Sequence, residues 1–289
     1  MSSLSSEDWG TFLGFDKILL PLEGFAAEVK AAEVALYLAE CSGGHVKILH
    51  VKRPAVGVEE TYDKLREWSV GKARELSVMV EVEEIIDEAP ADAILERANA
   101  YDLVVIGGRR RLREEVFGGV SSKVVRGAPR PVMVVTSPIA DLEEKVRPLK
   151  RILLPLRVGM EDLGAVKLAV ALTSSATTKD FVIVALHVVT LPLATPALAL
   201  DDESLKEEEK VFLREVGQLS RLAARPIEPQ VVVGRDAGRS IVSFAREHDF
   251  DLVVLGEREK PGPLEVLLGT KALYVSRNSP CSVALVYKA

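Results

Sequence analysis

Cysteine and histidine are scarce in this sequence of 289 residues. The two cysteines, Cys41 and Cys281, lie far apart and show no CxxC spacing, so we expect neither a disulfide framework nor a cysteine zinc site. The four histidines include no close pair at metal-ligand spacing. We therefore expect no metal site, and we interpret both cysteines as small core residues in a reducing compartment.

Basic residues are also in the minority. Lysine and arginine total 37 against 43 aspartate and glutamate residues, which gives a formal net charge of −6 and an isoelectric point near 5.5. Non-specific nucleic-acid binding needs a broad basic surface. We therefore expect no nucleic-acid partner, although a local basic patch is compatible with this charge.

Long apolar runs and targeting signals are missing as well. Residues 191–200 form the most apolar loop, but this stretch is too short to span a bilayer and contains Pro192 and Pro196. Residues 1–10 have no basic segment and no long apolar run, so they do not resemble a signal peptide. We expect a soluble, cytoplasmic protein with no membrane contact.

The common catalytic motifs are absent too. The sequence contains no G-x-S-x-G, no Cys/His arrangement and no Walker-type GKT or GKS. We therefore expect no catalytic residues and no enzyme. A weak ATPase with Glu257 or Glu259 as its base is the least favoured alternative.

The chain does contain an internal repeat. Two domains are expected, because the chain is about twice the usual domain length and 48% of its residues are hydrophobic. Four segments recur in the same order: KILLPL at 17–22 and RILLPL at 151–156, KILHV at 47–51 and VALHV at 184–188, YDLVVIGG at 101–108 and FDLVVLGE at 250–257, and PVMVV at 131–135 and PCSVALV at 280–286. We infer a tandem duplication with domains at 1–144 and 149–289. The second copy carries a loop and helix extension after Val188.

Each half alternates short apolar runs with helical patterns. Runs such as ILLPL and VVIGG lack polar alternation, as do strands that are buried on both faces of a parallel sheet. Helices are expected at 28–40, 60–77, 92–100 and 121–126, with Gly43 and Gly44 as a C-cap, and at 162–173, 201–224, 238–248 and 270–276. Five strands and four helices per half predict an α/β fold with a doubly wound sheet, whose ligands bind at the carboxyl ends of the strands.

These segments resemble the universal stress protein family in its tandem form. The family's first strand leads into Pro-x-Asp-Gly, matched by KILLPLEGF at 17–25 and RILLPLRVG at 151–159; its second strand ends in His-Val, and its fourth reads DLIVMG. The resemblance covers about residues 16–138 and 149–289. It implies two doubly wound, Rossmann-like domains of the adenine nucleotide alpha hydrolase type. They would form an internal pseudo-dimer by pairing strands 132–135 and 283–286.

The resemblance also implies a nucleotide site in each half. Nucleotide-binding members carry G-x2-G-x9-G-[S/T] after the fourth strand, where glycine amides and a helix N-terminus hold the phosphates. The positions expected to bind ATP or AMP are Pro21, Leu22, Glu23, Val51, Gly107, Arg110, Gly118, Gly119, Val120 and Ser121 in the first half, and Pro155, Leu156, Val188, Gly256, Gly269 and Thr270 in the second.

Both halves depart from that motif. In the first half Arg110 replaces the middle glycine and the loop is two residues short, while in the second Glu259 replaces it and Gly269–Thr270 keeps its spacing. The family's nucleoside-binding aspartate becomes Glu23 in one half and Arg157 in the other, which reverses the charge. The arginine-rich loop around Arg110 is interpreted as a solvated loop or as an anion site.

Two functions remain open from the sequence. The first is a stress-response module that binds ATP or AMP without catalysis and changes its partner preference with the nucleotide. The second is a ligand-free scaffold with degenerate nucleotide sites that binds an unidentified protein partner. A homodimer of tandem chains is expected, and His50 and His187, which recur at matching strand ends, are interpreted as architectural.

Overall fold

The computed structural model describes residues 15–24, 28–52, 60–108, 119–138, 149–159, 163–173, 181–191, 202–256 and 269–287. The first half contains β1 (Lys17–Pro21), α1 (Val29–Ser42), β2 (His45–Lys52), α2 (Glu60–Glu75), β3 (Met79–Ile86), α3 (Pro90–Ala98), β4 (Leu103–Gly108), α4 (Gly119–Gly127) and β5 (Val132–Thr136). The second half contains β6 (Arg151–Pro155), α5 (Leu163–Leu172), β7 (Val182–Thr190), α6 (Asp202–Leu222), β8 (Glu228–Gly234), α7 (Ala237–Glu247), β9 (Leu252–Gly256), α8 (Thr270–Asn278) and β10 (Ser282–Tyr287).

The strands of both halves join one continuous sheet. Its order is β3-β2-β1-β4-β5-β10-β9-β6-β7-β8, so each half keeps a doubly wound order with its first strand beside its fourth. Neighbouring strands are parallel except β5 and β10, which pair antiparallel with Val132 opposite Tyr287 and Thr136 opposite Val283. This pairing confirms the predicted internal pseudo-dimer. It also makes the carboxyl ends of the strands in the two halves point in opposite directions.

The central strands are buried on both faces, as their unbroken apolar sequences predict. In β1, Ile18 and Leu20 face one core while Leu19 faces the other, and all three are fully buried. The edge strand β3 differs, because it carries three glutamates and its end residues Met79 and Ile86 are 73% and 74% exposed.

Two helical layers cover the sheet. One contains α1, α2, α5 and α6, and the other contains α3, α4, α7 and α8. Residues 29–39 of α1 are all buried, because α5 of the other half packs against this helix. The Cys41 thiol donates to the Ala171 carbonyl oxygen at 2.7 Å, and the rings of Tyr37 and Phe181 meet edge-on with centroids 6.4 Å apart. The two halves therefore share one apolar core on this face.

Every predicted helix is confirmed, with ends that differ by no more than two residues. The predicted C-cap is Gly43, which adopts a left-handed conformation with φ of 65° after α1. The extension of the second half appears as α6, which has 21 residues against 16 in α2. Among the helices in the described ranges, none combines the length and the apolar character that a bilayer span needs.

Candidate functional site

The candidate site of the first half lies between the ends of β1 and β4, whose connections lead to opposite sides of the sheet. At the end of β1, Pro21 and Leu22 are buried, and the Leu22 amide donates to the Leu49 carbonyl oxygen at 3.0 Å. At the end of β4, the Gly107 carbonyl oxygen accepts from the Ser121 hydroxyl of α4 at 3.3 Å. The structure therefore brings both strand ends and the start of α4 to one crevice.

A carboxylate spans this crevice. Glu28 directly precedes α1 and is only 6% exposed. Its Oε2 accepts from the Glu23 amide at 3.0 Å and from the Gly24 amide at 2.9 Å. Its Cγ lies 2.5 Å from the place that a Cβ on Gly107 would take, so the side chain rests directly on the end of β4. We call this arrangement of Glu28 between the two amides and Gly107 the Glu28 bridge.

The turn after β1 is shaped to receive this carboxylate. Gly24 has φ of 106°, a conformation that L side chains rarely adopt, and a Cβ there would lie 2.8 Å from the Tyr62 backbone nitrogen. The position of Glu28 at the N-terminus of α1 also favours a negative charge. Sequence reasoning missed the Glu28 bridge, because Glu28 was interpreted only as the start of a helix. The available signal was an acidic residue at a helix start beside a glycine-containing strand end.

Two buried histidines hold the strand ends in the same way in both halves. His50 Nδ1 donates to the Leu22 carbonyl oxygen at 2.8 Å, and His187 Nδ1 donates to the Leu156 carbonyl oxygen at 3.1 Å. Since a carbonyl oxygen only accepts, the proton is assigned to Nδ1 in each ring. His50 also stacks on Tyr62 with centroids 3.6 Å apart. These contacts support the architectural interpretation of both histidines.

A charged cluster surrounds Tyr62 at the edge of the first crevice. Burial, and then the neighbouring Glu84 carboxylate, raise the pKa of the Tyr62 hydroxyl well above its usual value. Lys52 and Arg66 bind Glu84 at 2.6 and 3.0 Å, and the hydrogen bond from Lys52 lowers the pKa of the Glu84 carboxyl. Because these charges are paired with one another, we interpret the cluster as structural.

The second half holds its equivalent turn from α6. The Gly159 amide donates to both carboxylate oxygens of Glu215, at 3.1 and 3.3 Å. Two helical turns further back, Glu208 Oε1 lies 2.8 Å from His187 Nε2. The longer helix of the second half thus supplies two carboxylates to this end of the sheet.

The other predicted positions of the second half lie around the ends of β6 and β9. Leu156 is buried, Pro155 is half-buried and Arg157 is exposed. Gly269 precedes α8 with an ordinary φ of −61°, and Thr270 is the first residue of that helix. A Cβ on Gly269 would meet nothing within 4 Å. Neither the backbone nor the packing of the described ranges therefore requires a glycine at this helix start.

The structure distributes the remaining predicted positions as follows. Val51, Val120 and Val188 are half-buried against the core, and Gly256 ends β9. Gly119 starts α4, and no atom of the described ranges lies within 4 Å of its Cβ position. Arg110 and Gly118 lie outside the described residues, as do Glu257 and Glu259, so the predictions made for them stay predictions. Within the ranges described, His, Cys, Asp and Glu form no group of three that could hold a metal ion.

Fold and crevices together define a class of protein: two doubly wound α/β domains in one chain, joined through their last strands, each with a crevice at the carboxyl end of its sheet. The universal stress protein family matches residues 14–136 and 148–287, and the chain belongs to this family. The resemblance drawn from the repeated strands is thereby confirmed, and with it a role as a universal stress protein.

Known proteins are similar to this chain over most of its length. Universal stress protein Rv2005c of Mycobacterium tuberculosis is 29% identical over 218 residues, which cover 72% of this chain and 68% of that protein. The crystal structure of a universal stress protein from Archaeoglobus fulgidus covers 96% of this chain and 98% of that one, with a TM-score of 0.62 and 16% identity. The cytoplasmic domain of a prokaryotic cation chloride cotransporter covers 95% and 96%, with a TM-score of 0.59 and 14% identity. At these identities the likeness to the solved structures concerns the fold alone.

Proposed function

We propose that this universal stress protein binds an adenine nucleotide, ATP or AMP, without catalysis, and changes its partner preference with the nucleotide. The observation that carries the proposal is the open start of α8. Within the described ranges, nothing lies within 4 Å of the Cβ position of Gly269, and its φ is one that any residue adopts. A glycine that neither backbone nor packing demands leaves room for a ligand to approach the main chain.

The start of α8 has the chemistry that a phosphate needs. The first amides of a helix have no partner within the helix, and the helix dipole places partial positive charge beside them. Anions bind at such ends, most closely where glycine lets them reach the backbone. Arg157, exposed after β6 in the same half, adds a positive charge at the end of the neighbouring strand. Members of this family are in general non-catalytic, which supports binding without turnover.

Titration calorimetry with ATP, ADP and AMP tests the proposal. We expect saturable heat for at least one of the three nucleotides, and the nucleotide recovered afterwards should be unchanged by mass. No heat for any nucleotide at high protein concentration would overturn the proposal. Steady hydrolysis of ATP that Glu259→Gln abolishes would overturn its non-catalytic part.

A ligand-free scaffold is the second candidate function. The Glu28 bridge favours it, because a side chain of the protein itself takes up the crevice of the first half. Such a scaffold would act in the cytoplasm through an unidentified protein partner. Purified protein that carries nucleotide, seen by ultraviolet absorbance and mass, would argue against this candidate.

We propose in addition that the chain forms a homodimer and that its domains divide at 1–144 and 149–289. Exposed apolar residues on the two edge strands, Met79 and Ile86 on β3 and Val233 on β8, support self-association. Light scattering after size-exclusion chromatography should give twice the chain mass of 31.4 kDa. A single-chain mass at all concentrations would exclude the homodimer.

A further inference from the structure

We propose, on the basis of the proposed function, that the Glu28 bridge closes the crevice of the first half to nucleotides, so that the chain binds one nucleotide and binds it in its second half. Glu28 thus sets how many sites the duplicated chain offers. The first half then serves as a closed structural counterpart of the second.

The position of the Glu28 bridge carries the first part of this inference. Ligands of doubly wound sheets bind at the carboxyl ends of the strands, where neighbouring connections diverge. In the first half that place is the crevice between β1 and β4. The Glu28 side chain crosses this crevice from the Glu23 and Gly24 amides to Gly107. Only 6% of Glu28 is exposed. A ligand atom that approached Gly107 would overlap the Glu28 side chain.

The charge of the Glu28 bridge acts in the same direction. The amides of Glu23 and Gly24 donate to a carboxylate of the chain itself, as they would to an oxygen of an anionic ligand. These donors are therefore already used. A carboxylate in the crevice also repels a phosphate group by Coulomb interaction. A nucleotide would need to displace Glu28 from a site that the turn at Gly24 is shaped to provide.

The second half is held differently at the corresponding place. Its turn is bound by Glu215, which reaches Gly159 from α6 through an exposed bond. Arg157 occupies the repeat position of Glu23 and is exposed. Gly269 at the start of α8 has open space around it in the described ranges. The second half therefore carries a positive charge at the repeat position of Glu23, and its turn is held by a carboxylate that reaches it from α6. Asp162, at the repeat position of Glu28, lies outside the described residues.

Titration calorimetry with ATP and AMP on the full chain and on Glu28→Ser tests the inference. Serine is short, and it is a good N-cap for α1, which has no side-chain cap at present, so this variant is expected to fold. We expect one nucleotide per chain for the unchanged protein and two for Glu28→Ser. Gly269→Asp alone should abolish nucleotide binding, and the double variant Glu28→Ser/Gly269→Asp should keep one site.

Glu28→Gln is the matched control. Glutamine keeps the length of the side chain and an oxygen that accepts from both amides, so the crevice stays filled. We therefore expect Glu28→Gln to bind one nucleotide per chain. Circular dichroism and thermal unfolding of each variant show that the counts refer to folded protein. A thermally unstable Glu28→Ser would be replaced by Glu28→Ala, with the same expected count.

The number of nucleotides bound by the unchanged protein and by Glu28→Ser shows which of the two proposals fails. Two nucleotides on the unchanged protein, or one on Glu28→Ser, would overturn the role of Glu28 and leave the proposed function standing. No nucleotide on the unchanged protein but one on Glu28→Ser would overturn the proposed function and support the closing role of Glu28. No binding by either protein would overturn both.

Discussion

The two halves of the molecule hold the same turn with carboxylates from different places. In the first half Glu28 reaches back from the start of the next helix and is buried across the crevice. In the second half Glu215 lies on α6, 56 residues beyond Gly159, and its bond is exposed. The same turn of a duplicated fold can therefore be stabilised by carboxylates from two different helices. In the first half the carboxylate crosses the crevice, and in the second half it reaches the turn from α6.

The first helices of the two halves differ as well, and this difference predicts the largest effect. Lys30 and Glu33 of α1 form a buried ion pair at 2.5 Å, whereas the same positions of the repeat in α5 are Gly164 and Lys167. Glu33→Gln removes the carboxylate from this buried ion pair. We expect it to lower the free energy of unfolding by about 3 kcal/mol, measured by urea denaturation.

The double variant Lys30→Met/Glu33→Leu is the control for that prediction. It removes both charges, so its cost should be well below that of Glu33→Gln. Equal costs for the two variants would show that volume, not charge, determines the effect at this interface between the halves.

The same pair predicts a pH dependence. Burial raises the pKa of Glu33, although Lys30 beside it acts in the opposite direction. A carboxyl whose folded pKa is raised binds its proton more tightly in the folded state, so its contribution to stability is largest below pH 4.5 and is lost as the pH rises through the folded value. The stability of the unchanged protein minus that of the double variant should therefore fall as the pH rises above 4.5. A difference that rises with pH would contradict this assignment.

The two turn carboxylates predict a smaller, graded effect. Glu28→Ala removes two hydrogen bonds to a buried carboxylate and should cost about 2 kcal/mol. Glu215→Ala removes an exposed bond and should cost about 0.5 kcal/mol or less. Urea denaturation of both variants measures the difference. Similar costs would show that the buried carboxylate of Glu28 and the exposed carboxylate of Glu215 stabilise their turns equally, which would contradict this prediction.

The starts of the last helices predict a small effect, between those of the two turn carboxylates. Ser121 donates to the Gly107 carbonyl oxygen in the first half, and its counterpart in the repeat, Ala272, has no hydroxyl. Ser121→Ala copies the second half and should cost about 0.5 to 1 kcal/mol. Thermal unfolding measures it. A cost above that of Glu28→Ala would show that Ser121, and not Glu28, is the main tie at the end of β4.

The fold was predictable because the repeated strands are unbroken apolar runs with glycines and helix signals at regular places. The alternation of strands and helices in each half predicted the doubly wound sheet, and the family resemblance carried by the repeated strands implied the contact of β5 with β10. The strand-end histidines were predictable for the same reason, since they recur at matching positions.

The arrangement of the crevices was not predictable in the same way. Glu28 and Gly107 are 79 positions apart, and their contact depends on how α1 lies over β4. Glu215 belongs to the extended helix α6, so no residue of the first half marks it by repetition. Pattern matching between the halves gives Glu28 and Asp162 the same repeat position, but it does not show the contacts that Glu28 makes.

Amide hydrogen exchange with and without saturating ATP tests the central claim most directly, because it observes both crevices in one sample. We expect slower exchange at the start of α8, around Thr270 and Lys271, and no change at the start of α4 or at the Glu23 and Gly24 amides, which Glu28 already binds. Slower exchange at the start of α4 and at Glu23 and Gly24 would show that nucleotide enters the first crevice and would contradict the account.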